Sequence, residues 1–161
     1  ALRYGQLRDS ELVARQVGML ERLTVATPDY LARFGTPSSI DELEGHRVVG
    51  LRSISTGHIT PMEFGQGSQS RTVSLPCILS VTGTESYLAG IRLGLVMAQV
   101  PRFHILDELS RGELVPLLAD TPPPSAPVSL LYSRTRQLSP RVRVFLDWAA
   151  REFAVRLARE S

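Results

Sequence analysis

His46, His58, His104 and Cys77 are the side chains in this chain best suited to hold a metal or attack a substrate. Metal chemistry needs converging ligands, and none of the three histidines lies in an HxH or HExxH arrangement, while Cys77 has no partner at CxxC spacing. Nucleophilic catalysis in an α/β protein would announce itself by a GxSxG elbow, and none is present. A Ser–His–Asp set is defined in space, so any chain of this length offers one on paper. Gly65-Gln66-Gly67 starts like a dinucleotide loop, but the third glycine is missing and no strong helix follows, so a plain loop is expected there. Cys77, within an apolar run, reads as a small core residue. The residues therefore point away from an enzyme, with no metal and no cofactor expected.

The remaining polar chemistry lies in hydroxyls and amides at the ends of elements. In an open α/β sheet the carboxyl ends of strands and the N-termini of helices gather along one edge, where free N–H groups bind anions. Three such ends stand out: Gln6 after a first short strand, Ser53 and Ile54 after HRVVGL, and Thr82-Gly83-Thr84 before a helix. Each threonine reads equally well as a simple helix cap. Hydroxyls and backbone amides without a catalytic base suit holding a molecule without converting it.

The elements that would position these groups follow from pattern. ALRYG, LVARQV and ERLTVA read as extended. Thr27-Pro28 opens a short helix, DYLARF, closed by Gly35. Ser39 and Glu42 have capping-box spacing, as do Thr82 and Glu85. HRVVGL, a brief strand at 62–64, TVSLP and CILSV follow. Tyr87, Leu88, Ile91 and Leu95 keep helical spacing, and LVMAQV after them is a continuous apolar run suited to a strand buried on both faces. Strand, helix and buried strand make a βαβ unit, so part of the sheet should be parallel. RFHILDELSR is a further helix, ELVPLL and VSLLYS are strands, and Ser139-Pro140 opens a last helix. Its Val142, Phe145, Leu146, Ala149 and Phe153 form one apolar stripe, and Trp148 is expected to pack. The proline-dense DTPPPSAP (120–127) suits a crossing between two lobes.

Bulk properties exclude less. The 161 residues are 43% hydrophobic and 21% charged, ordinary for a globular chain with room for a core. No run approaches the roughly 18 apolar residues of a spanning helix, the first residues lack the layout of a secretion signal, and a lone cysteine fits a reducing cytoplasm. A pI near 9.1 overstates the charge, because the net value is +2. All eighteen basic residues are arginine, scattered without a basic run, which argues against a nucleic-acid grip by this segment.

Four phrases, in order, resemble the regulatory half of LysR-type transcriptional regulators: LRYGQLRDSELVAR, LTVATPDYLARFGTPSSIDELEGHRVVG, GIRLGLVMAQVPRFHILDELSRGELVPLL and PVSLLYSRTRQLSPRVRVFLDWAA. The resemblance covers essentially the whole chain. It implies an α/β fold of the type 2 periplasmic-binding-protein kind, with two lobes of mixed sheets and a small-molecule effector in the cleft between them. Lobe II would run from 14 to 121, and an incomplete lobe I would hold 1–13 and 122–161. Effector contacts implied are Gln6, Ser53, Ile54, Thr82, Gly83 and Thr84, with Gln99, Val100 and Pro101 on the strand leading to the cleft. A homodimer or higher oligomer surface is implied on the helix and strand after it, through Glu85, Leu88, Ala89, Arg92, Leu95 and Met97. The winged helix-turn-helix and the first part of lobe I are missing from the pattern, so promoter DNA would be met only through that absent domain. The implied function is sensing a small, anionic organic effector to control transcription. A solute-binding protein of a transport system shares the fold and is the alternative reading.

Overall fold

The computed structural model describes residues 2–4, 12–53, 56–65, 67, 70–133 and 139–159. The chain divides into two compact units, residues 1–21 with 125–161, and residues 22–124. These boundaries differ from the expected 13/14 and 121/122. The first shifts because Leu12–Leu20 is one uninterrupted strand that cannot be cut at residue 14.

In the first unit, β1 (Leu2–Tyr4) and β2 (Leu12–Leu20) flank β10 (Ala126–Ser133), all antiparallel. A bulge leaves Val17 opposite the step from Val128 to Ser129. Val17, Leu20, Val128 and Leu130 face Leu146, Ala149 and Ala150 of α4 (Pro140–Arg159), the i, i+3, i+4 spacing that one helical face requires. The expected stripe is thus shifted. Leu146, Ala149 and Phe153 pack inward, but Val142 and Phe145 face outward, as does Trp148 at 52% exposure.

The second unit is built on two small sheets. β3 (Arg22–Ala26) lies between β8 (Ala98–Pro101) and β9 (Val115–Leu117), antiparallel to both. β4 (Val48–Leu51) runs parallel to β7 (Cys77–Val81). A parallel bridge, Val48 to Met97, joins the two sheets, with Met97 N–H donating to the Arg47 carbonyl at 2.9 Å. Thus β4, β7 and β8 run the same way, as the βαβ pattern requires.

Alternation along these strands feeds two cores. Val25, Val49, Ala98 and Val100 pack against Leu88 and Ile91 of α2 (Thr84–Arg92), while Ala26, Val48, Met97 and Leu117 pack on the other side against Tyr30 of α1 (Pro28–Phe34) and against Met62 and Phe64. The latter two belong to β5 (Met62–Phe64), which forms a hairpin with β6 (Arg71–Val73). Burial on both faces is why LVMAQV carries no alternation.

Local chemistry sets the helix ends. Thr27 Oγ1 accepts from Tyr30 N–H at 3.2 Å, the expected cap. The Ser39 box does not form. Instead the Glu42 carboxylate reaches back to Ser38 N–H and Oγ at 2.8 and 2.9 Å, which holds its pKa below the usual range. The segment expected as one helix from 102 splits into a 3-10 turn at Arg102–His104 and α3 (Leu106–Ser110), broken at Ile105. After α2 the chain turns at Gly94, whose φ of +65° suits glycine, and a Cβ there would meet Thr27 Oγ1 at 2.8 Å.

His46 is buried in the second core, its Nδ1 3.0 Å from the Tyr30 hydroxyl. Desolvation holds its pKa below the ordinary imidazole value. The fold therefore prefers neutral His46, while the unfolded imidazole takes up a proton as pH falls through about 6.5. His46 thus contributes stability fully present above that pH and lost below it. His104 shifts the same way, desolvation outweighing the charge of Glu85. Urea midpoints should fall between about pH 7.5 and 5, and His46→Gln should flatten part of that slope.

Candidate functional site

The carboxyl ends of β4, β7 and β8 share one edge of the second unit, and β3, running the opposite way, begins there. The register fixes the neighbours. Leu51 stands beside Val81, Arg52 N–H donates to the Val81 carbonyl at 2.7 Å, and Arg22 pairs with Pro101. Ser53 and Thr82-Gly83-Thr84 therefore leave adjacent strands side by side, about one strand spacing of 4.8 Å apart.

Ser53 opens a tight turn. Its N–H donates to the His58 carbonyl at 2.9 Å, its carbonyl accepts from Gly57 N–H at 2.8 Å, and its Oγ accepts from Thr56 N–H at 3.3 Å. At the neighbouring end, the expected Thr82–Glu85 capping box is replaced by Gly83 as N-cap, with no side-chain cap bond. Thr82, Gly83 and Thr84 are all exposed. A helix start capped by no side chain presents N–H groups and the positive end of the helix dipole to whatever lies in front of it.

Two guanidinium groups, neither evident from sequence, also stand on this edge. Alternation along β3 and β4 puts Arg22 and Arg52 on the face opposite α2. Arg52 donates to the Gly57 carbonyl at 2.6 Å and to Ser80 Oγ at 3.3 Å, and remains exposed. Arg22 is nearly enclosed, its Nη1 3.0 Å from Glu63 Oε2 on β5. Arg22 is second in ERLTVA and opens β3, so only strand pairing could set it at the edge, and Glu63 carried no sequence signal.

The other expected contacts are distributed differently. Gln6 and Ile54 lie outside the described residues. Pro101 is half-buried on the edge. Gln99 points inward: its Nε2 donates to the Glu63 carbonyl at 2.8 Å and to Thr24 Oγ1 at 3.3 Å, and its Oε1 accepts from Glu63 N–H at 3.0 Å. An amide so engaged is unavailable to a ligand, which corrects that expectation. Val100 is corrected likewise, because it belongs to the core beneath α2.

Of the expected oligomer surface, Glu85, Ala89, Arg92 and Leu95 are exposed. Leu88 and Met97 are not: the helical period turns Leu88 into one core with Ile91, and strand alternation turns Met97 into the other. The Arg92 guanidinium is held by the buried Glu108 carboxylate, at 2.8 Å from Nε and 2.6 Å from Nη2. Burial alone would raise the Glu108 pKa, but the Arg92 hydrogen bond, helped by its own backbone and by the charges of Arg92 and Arg111, brings it below the usual carboxylate value. Phe103, His104 and Leu106 complete a hollow of about 660 Å³ beside this pair. Among the described residues no three His, Cys, Asp or Glu side chains converge as metal ligands would.

The fold and sequence both have relatives. Residues 1–154 match the family model described as the LysR substrate binding domain. The chain is 32% identical over 149 residues to the HTH-type transcriptional regulator YhjC of Escherichia coli K12, covering 92% of this chain and 50% of that protein. It is 31% identical over 153 residues to the HTH-type transcriptional regulator CrgA of Neisseria meningitidis serogroup C, covering 94% and 50%. The chain thus spans about half the length of the curated relatives it matches. The solved CrgA regulatory domain superimposes with a TM-score of 0.74 at 27% identity, over 94% of this chain and 74% of that one. Full-length AphB of Vibrio cholerae gives 0.72 at 22% identity, over 96% and 50%, a likeness of fold.

Proposed function

This chain belongs to the LysR substrate-binding domain family, with the periplasmic-binding-protein-like fold of its regulatory domains, and from that premise we propose that it senses a small organic anion through the carboxyl edge of its second unit. The carrying observation is the parallel register of β4 and β7, which sets the Ser53 turn beside the open N-terminus of α2. Arg52 adds positive charge along the same edge, and Arg22, paired with Glu63, adds guanidinium donors. This set can grip an anion through N–H groups, a hydroxyl and guanidinium donors. The relatives are transcriptional regulators, which favours a regulator over a transport protein.

In the whole regulator, binding would shift the balance between conformations of the sensing domain, by as much as the ligand prefers one over the other. The exposed side of α2, with Glu85, Ala89 and Arg92, and Leu95 after it, suits the contact between copies that would carry this shift. In this reading DNA is met through a domain outside this chain, and the regulator works in the cytoplasm. No described helix is long and apolar enough to cross a membrane.

A screen of organic acids by thermal shift tests the reading, since a ligand bound only by the folded state raises the melting temperature. Gly83→Asp sharpens it. No atom lies within 4 Å of a Cβ at this position, so aspartate fits and can cap the first turn of α2. It should leave stability unchanged or raised by a few tenths of a kcal/mol. Its carboxylate would nonetheless occupy the N–H groups offered to the effector, weakening organic-acid binding about tenfold by calorimetry. Unaltered affinity would move the site away from α2.

A further inference from the structure

Arg22 is enclosed yet poorly satisfied. Its side chain is only 13% exposed, which is costly for a cation unless its donors are used. Nη1 meets one oxygen of Glu63 at 3.0 Å, and Nη2 meets Gln99 Oε1 at 3.4 Å, at the outer limit of a hydrogen bond. That Gln99 oxygen already accepts a shorter bond from Glu63 N–H. The buried Nε–H of Arg22 finds no acceptor among the described residues. A guanidinium is shaped to give two parallel N–H bonds to one carboxylate, and here the fork is used from one prong.

Glu63 is built to let go. Gln99 holds its backbone at both N–H and C=O, so the main chain stays in place while the carboxylate, 42% exposed, is free to rotate to water. Arg22 also sits opposite Pro101 on the edge that carries Ser53 and Thr82.

Resting on the reading that this edge holds an organic anion, we propose that Arg22 is the residue that selects a carboxylate ligand and that Glu63 is its internal stand-in. The ligand's two oxygens take Nη1 and Nη2 together, and Glu63 swings into solvent. Charge at Arg22 stays balanced in both states, so the exchange favours a ligand that offers the bidentate geometry Glu63 lacks. Neutral molecules cannot displace Glu63, and single-point anions such as chloride displace it poorly.

Acetate titrated into the ¹⁵N-labelled chain, against sodium chloride at matched ionic strength, tests this directly. The Arg22 Nε–H resonance, identified by its loss in Arg22→Lys, should shift saturably with acetate and not with chloride. Glu63→Gln, which removes the competing charge and keeps the arginine, should tighten the apparent Kd about fivefold. Arg22→Lys should weaken it by a similar factor, read from the Gly83 and Thr84 backbone amides. If those amides respond to acetate while Arg22 Nε–H stays still, the edge binds anions without Arg22 and the inference fails alone. An acetate affinity unmoved by Glu63→Gln defeats the stand-in role. No response from either signal, in wild type and Glu63→Gln alike, brings down the inference and the anion-binding edge together.

Discussion

Replacing Gln99 with leucine should destabilise the chain by about 3 kcal/mol in urea unfolding followed by circular dichroism. The carboxamide acts as a strand partner: its oxygen and nitrogen bond the N–H and C=O of Glu63 at 3.0 and 2.8 Å, tying the β5–β6 hairpin to β8 where no strand pairing reaches. The same nitrogen donates to the hydroxyl of Thr24, which is buried. Leucine fills similar volume, so the loss isolates the polar groups. Each buried donor or acceptor left unpaired costs about 1–3 kcal/mol, and water relieves part of the cost at half-exposed Glu63. Thr24→Val should cost only about 1 kcal/mol, because the amide keeps its two bonds to Glu63. A Gln99→Leu chain as stable as wild type would show that the hairpin holds through Met62 and Phe64 alone. The strap also steadies the Glu63 backbone beside Arg22.

Tyr30→Ala should cost about 4 kcal/mol, the largest single-residue loss expected in the second unit. The ring has no exposed surface and stacks on Phe34 at 4.7 Å between centroids. Its hydroxyl accepts from Arg47 N–H at 2.9 Å and bonds His46 Nδ1 at 3.0 Å, and burial raises its pKa, keeping it protonated. Truncation to alanine opens a cavity among Leu43, Val48 and Met97 and also orphans Arg47 N–H, which starts the approach into β4. Tyr30→Phe separates the two effects: it keeps the ring and should cost about 1–2 kcal/mol. Combined with His46→Gln, the two losses should not add, because they break one shared bond. Additive losses would mean that the Tyr30–His46 contact carries no energy.

Much of this was written in local pattern. The Thr27-Pro28 start, the helix holding Leu88 and Ile91, and the doubly buried strand after it depend on neighbours a few residues apart. So does the change from strand to helix to strand that demands a parallel pairing. Capping was less legible. Ser39–Glu42 and Thr82–Glu85 both have the spacing of a reciprocal box, yet Glu42 found Ser38, and Gly83 took the cap before α2. A short polar side chain chooses among several nearby donors on differences below 1 kcal/mol. The stripe on α4 shows the same limit, since Phe145 and Leu146 both fit an apolar face and only the sheet decides which is covered.

The family, the βαβ core of the second unit and two of the strand ends that meet at its edge could be read along the chain, because periodicity, caps and ordered motifs are properties of neighbouring residues. Long-range packing turns Gln99 inward to hold Glu63, assigns Leu88 and Met97 to cores and not to a surface, and brings Arg22 and Arg52 to one edge with Ser53 and Thr84. Those outcomes rest on register between strands tens of residues apart: Thr24 beside Gln99, Leu51 beside Val81. Register is set by summed burial over both faces of the sheet, a quantity no short stretch of chain contains.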